Sequence, residues 1–234
     1  MTQAPPPAMR IKSHWFKPGA PKSAEQQGSA IAFIVWRVAH NTLKRMRGAN
    51  FDIDAGVPYF GFLREVLVFL IAVVDRTAYG RMDAETRAAF VPSLVRHCAD
   101  TLAGNETDLL GPSGDGVSYQ HRFIDLVNEL STHYAEFGAD PQADAAAGFV
   151  PDFGFMRYFA SRLVPTLPPK DRTWVIDQVM AIEAPEAAQI VGAALLPNSG
   201  LKATAAAPVL LGAGLVGLVG GALWSRVFKP TWPQ

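Results

Sequence analysis

The stretch FGFLREVLVFLIAVVDRTAYG, residues 60–80, decides the fold. At 100° per residue, Phe62, Leu63, Val66, Leu67, Phe69, Leu70, Val73 and Val74 fill about half of a helix circumference. Arg64, Glu65, Asp75 and Arg76 occupy the other half. The uninterrupted apolar run, Val66 to Val74, is too short to cross a hydrocarbon core of about 30 Å. The reading is therefore the central core helix of an all-α domain, with its charges paired to neighbouring helices or lining a pocket. Pro58 suits the first turn, where its missing N–H is of no consequence.

Working upstream, a first helix is expected from Ser29 to Arg47, ended by Gly48. Ile31, Val35, Val38, Ala39, Thr42, Leu43 and Met46 share its inner face. Arg37, His40, Lys44 and Arg47 share the back, with Phe33 among them. That back is either the solvated side of a core helix or a surface for anionic headgroups, with Arg37, Lys44 and Arg47 as the contacts. Residues 1–28, rich in Pro, Gly, Ser, Gln and Lys, read as a flexible basic arm. The first fifty residues set Arg10, Lys12, Lys17, Lys22, Arg37, Lys44, Arg45 and Arg47 against Glu25 alone, although the whole chain has a formal net charge of +0. Such asymmetry points to an anionic surface. No helix-turn-helix, zinc finger or RNP motif accompanies it, so lipid is expected rather than nucleic acid.

Working downstream, Asp83 caps a third helix that Pro92 should kink or split and that runs toward Gly104. GPSGDG, 111–116, is a loop without the Lys-Ser/Thr ending of a phosphate-binding loop. YQHRFIDLVNELSTHYAEFG, 119–138, is amphipathic, and DPQADAAAG, 140–148, resembles a linker. GFMRYFASRLV is a short aromatic helix ended by Pro165, and two further helices are separated at Pro185. No segment alternates in the manner of a strand. The expectation is an irregular bundle of about six or seven helices over residues 29–197.

Chemistry-bearing patterns are sparse. His121, Asp125, Glu129 and His133 recur every four residues, but opposite the apolar face of Phe123, Val127 and Leu130, which predicts a solvated stripe and no metal site. His97 and Cys98 are adjacent and so face apart on a helix. Hydrolase, metalloprotease, Cys-x-x-Cys and dinucleotide fingerprints are missing, and no catalytic residue or cofactor is expected. Cys98 is the single cysteine, which fits a reducing compartment. The aromatic residues Phe60, Phe62, Phe153, Phe155, Tyr158 and Phe159 motivate an alternative: a pocket binding or acting on a lipid or quinone-like molecule.

After a hinge at 198–202, the 23 residues from Ala203 to Ser225 carry no charge. As a helix they measure about 34 Å, enough to span a bilayer. A transmembrane anchor over 203–226 is expected, followed by a short tail at 227–234. Trp224, Arg226 and Lys229 suit the interface. Ala213, Gly217 and Gly221 form a small-xxx-small face for another membrane helix, either a second copy or a different protein. The competing reading packs this glycine-rich tail on the soluble domain. The leading expectation is a non-catalytic accessory, assembly or scaffold subunit, membrane-anchored, with its main domain cytoplasmic, its partners the membrane and another membrane protein, and no small molecule required.

Overall fold

The computed structural model describes residues 22–144 and 148–195. The hinge, the expected anchor and most of the basic arm lie outside the described residues. The described chain is all-helical, as expected, with one isolated antiparallel bridge between Ala139 and Pro151. Its α-helices are α1 (Ala24–Gly48), α2 (Val57–Tyr79), α3 (Ala84–Leu110), α4 (Tyr119–Tyr134), α5 (Phe153–Leu163), α6 (Arg172–Gln178) and α7 (Ala184–Ala194). A 3₁₀ turn, Val164–Thr166, follows α5.

Helix α2 is the axis of the bundle and packs on α1, α3, α4, α5 and α7. Phe60, Phe62, Leu63, Val66, Leu67, Phe69, Leu70, Val73 and Val74 are fully buried. By length and composition α2 could cross a membrane, with a mean hydropathy of 2.0, but 72% of that window is buried inside the fold. A helix apolar around most of its circumference is what the centre of a bundle requires.

The four charges on α2 are all engaged. Glu65 accepts two hydrogen bonds from Arg162 of α5, at 3.0 and 2.6 Å. Asp75 is gripped by Arg87 of α3 at 2.8 and 2.7 Å. Arg64 pairs with the fully buried Glu106 of α3. Arg76 donates to the Phe137 carbonyl at 2.8 Å and lies 5.3 Å from the Phe149 ring centre. Pairs of this kind fix which helix faces α2 more than they add stability, since desolvation offsets most of the Coulomb gain.

Helix α1 starts earlier than expected because Ser23 and Gln26 form a capping box, with Gln26 N–H donating to Ser23 Oγ at 3.2 Å. The early turn places Gly28 against α3. A Cβ there would lie 2.6 Å from the Phe90 carbonyl oxygen and 3.0 Å from the Leu94 nitrogen. Ser93 Oγ donates to the Glu25 carbonyl across the same crossing at 2.9 Å. Helix α3 continues past both Pro92 and Gly104 to Leu110. Pro92 neither splits it nor ends it, although the ring removes one amide donor from the ladder.

The helix expected to start at Pro185 starts at Ala184, but no gap separates it from the one before. Residues 172–194 form a continuous helical run, interrupted upstream by a π segment, Val179–Glu183, whose exit is marked by Ala184 N–H reaching back to Val179 O. Pro185 simply fills the first turn of α7. The π segment turns Glu183 inward, where it meets Arg45 of α1 at 2.7 Å.

Candidate functional site

Two surfaces merit functional scrutiny: the outer face of α1 and a cleft between α2, α3 and α4.

On α1, Arg37 and Lys44 are exposed, and Arg37 lies 5.7 Å from the ring centre of Phe33, which is 40% exposed. Arg47 has a structural task. Its Nε donates to the Ile53 carbonyl at 3.0 Å and its guanidinium covers the Tyr59 ring at 5.4 Å, closing the turn from α1 to α2. His40 does not belong to the solvated back. It is buried, with ring centres 4.7 Å from Trp36 and 6.3 Å from Tyr59. Burial, helped by Lys44, lowers its pKa from the usual value to about 4. The helical wheel missed this because Tyr59, which encloses the imidazole, arrives from α2.

The anchor residues Ala213, Gly217, Gly221, Trp224, Arg226 and Lys229 lie outside the described residues.

The aromatic pocket of the sequence reading is a filled core. Phe69 stacks on Phe159 with ring centres 4.1 Å apart and planes 13° apart, and Tyr134 closes on Phe155 at 4.6 Å. Phe60, Phe62, Phe155 and Phe159 are buried, Tyr158 half-buried, and Phe153 is 71% exposed. Rings packed at these distances leave no room for a ligand.

A cleft of about 540 Å³ opens elsewhere, between α2, α3 and α4. Its apolar wall is Ile71, Val91, Val95, Ile124 and Val127. Arg76, Arg87, Arg96 and Asp75 supply the charge, and Asn128 and Tyr79 flank them. Arg87 and Asp75 neutralise one another, and Arg76 is held by Phe137. Arg96 is exposed and takes part in no hydrogen bond or ion pair among the described residues. Local sequence carried only a weak signal for this site: Arg87, Val91 and Val95 repeat every four residues on α3.

His121, Asp125, Glu129 and His133 are exposed along α4, as the periodicity predicted. Among the described residues no three metal-type side chains lie together. Cys98 is fully buried and desolvation pushes its thiol pKa far up, so it is an inert core residue. Burial also raises the carboxyl pKa of Glu65, Glu106 and Glu183, opposed in each case by the paired arginine. These three perturbed groups sit in separate interhelical ion pairs, with Arg162, Arg64 and Arg45 respectively.

Compared with known protein families, curated proteins and solved structures, the chain matches none.

Proposed function

We propose that the protein is a membrane-anchored helical accessory or scaffold subunit, its folded domain held at the cytoplasmic face by the segment 203–226. The observation that carries this reading is the charge-free run from Ala203 to Ser225, bounded by Lys202 and by Arg226. Its glycines would weaken a helix in water by about 1 kcal/mol each relative to alanine. In lipid the backbone must satisfy its own hydrogen bonds, and the same glycines become a packing face. The exposed pair Arg37 and Lys44, with Phe33 beside Arg37, supports a second contact with anionic headgroups. The domain supports the scaffold role because its buried carboxylates are consumed in joining α1 to the π segment, α2 to α3 and α2 to α5.

Membrane fractionation of the full chain and of a version ending at Gly200 tests the anchor. The full chain should resist high-salt and alkaline carbonate washes, and the shortened one should be soluble. Two soluble proteins refute the reading. Gly217→Leu with Gly221→Leu should then dissolve a specific complex on native gels while the domain stays folded. An unchanged complex removes the glycine face as the contact.

A further inference from the structure

We infer that the cleft between α2, α3 and α4 is a binding site for a single-chain amphiphile with a carboxylate head, of the fatty-acid class, its head at Arg96 and its chain along the apolar wall.

The volume of about 540 Å³ falls within the range of about 300–1,000 Å³ typical of small-molecule sites. The wall residues come from three helices at helical spacing: Ile71 of α2, Val91 and Val95 of α3, Ile124 and Val127 of α4. An apolar wall drawn from three elements, buried at Ile71 and Val127 and half-buried at Val91, Val95 and Ile124, suits an acyl chain, whose burial is favourable by roughly 0.8 kcal/mol per methylene.

Charge fixes the sign of the head. Three arginines face one aspartate in the lining. Asp75 is already gripped by Arg87 through two hydrogen bonds, and Arg76 by the Phe137 carbonyl. Arg96 is the lining cation left over among the described residues, and Asn128, an exposed amide, lines the same cleft. A planar guanidinium takes a carboxylate through two parallel hydrogen bonds. The cleft thus repels a cationic amphiphile and leaves a neutral one without a partner for Arg96.

Length fixes the chain. Arg96 and Arg87 lie nine residues apart on α3, about 13 Å along its axis at the α-helical rise. An extended chain of about ten carbons covers that span. Tyr79, 73% exposed, stands at the Arg87 end, where the methyl end would emerge. The inference is independent of the anchor, because every residue it uses lies in the folded domain.

The test is photolabelling of the full-length protein with a diazirine-bearing dodecanoate, mapped by peptide mass spectrometry. Labels should concentrate on 91–96 and 124–131 and fall at least tenfold with excess dodecanoate, but not with dodecyltrimethylammonium. Arg96→Glu, an exposed position whose exchange leaves the core intact, should abolish the selective labelling. Val95→Trp, which fills the cleft, should do the same with an unchanged helical circular dichroism spectrum. Labels spread evenly over the chain, equal competition by the cationic amphiphile, or undiminished labelling of Arg96→Glu would each overturn the inference. Fractionation of the Gly200 version reads the anchor separately, so either result stands without the other.

Discussion

Lowering the pH should loosen the protein through His40, and the size of the effect follows from its burial. The imidazole lies between Trp36 and Tyr59, 8% exposed, and burial brings its pKa from 6.5 to about 4 in the folded state. The folded value is depressed, so its contribution is complete above the unfolded pKa. It is lost as pH falls from about 6.5 through about 4, because the unfolded chain takes up the proton first. At pH 5 the difference in proton uptake amounts to about 2 kcal/mol, and below pH 4 to about 3 kcal/mol. The raised pKa values of Glu65, Glu106 and Glu183 act in the opposite sense, favouring the fold in mild acid relative to neutral pH. A difference against His40→Gln cancels them, because all three remain in the variant. Urea unfolding of both proteins at pH 7.5 and pH 5.0 gives the comparison. The wild type should lose about 2 kcal/mol more than the variant between these conditions. Parallel losses, within about 0.5 kcal/mol, would refute the assignment of a neutral, enclosed imidazole.

Three other substitutions probe the contacts that hold the helices in place. Gly28→Ala should destabilise by about 1–3 kcal/mol, since the new Cβ meets the Phe90 carbonyl oxygen at 2.6 Å, outweighing the gain in helix propensity; a urea midpoint that rises would show that the crossing is loose. Arg162→Ala leaves the Glu65 carboxylate buried without its two donors and should cost about 3–5 kcal/mol at pH 7. The double variant with Glu65→Leu should recover most of that loss, as read by thermal unfolding. Asp152→Ala removes both the cap on Phe155 N–H at 2.7 Å and the acceptor for Gly138 N–H at 2.8 Å. A loss of about 2 kcal/mol is expected in chemical denaturation, with Asp152→Asn losing less.

What could be read from the chain alone followed the reach of each signal. The core role of α2 was legible in the short apolar run between Glu65 and Asp75, although the helix as a whole is apolar enough to pass for a span and it is its burial in the bundle that marks it as a core helix. The solvated stripe of His121, Asp125, Glu129 and His133 was legible because a helix of 3.6 residues per turn separates its faces unaided. The α1 start was available in Ser23 and Gln26, a reciprocal cap that the proline-rich arm before it obscured. His40 was misread for a different reason: a single-helix wheel places it with Arg37 and Lys44, and only the arrival of Tyr59 from α2 encloses it. The start of α7 was legible in Pro185, which sits in its first turn; that a π segment joins it to α6 without a gap was not. The cleft left only the four-residue repeat of Arg87, Val91 and Val95 in the sequence. Its wall draws on residues 71 to 127 from three helices, and its charge depends on which arginines the fold leaves unspent.

The π segment at Val179–Glu183 carries one residue more than a straight helix would need. That surplus is absorbed where it occurs, in a widened turn, so α7 keeps the phase it would have in a regular helix. Removing a single exposed residue there, such as Ala181, would let α6 and α7 join as one regular helix with Ala184, Ala187, Ala188 and Val191 still facing the core. The same deletion inside the regular part of α7 would turn everything after it by about 100° and draw it back by about 1.5 Å. A change of length is therefore tolerated at the widened turn and nowhere else along this run.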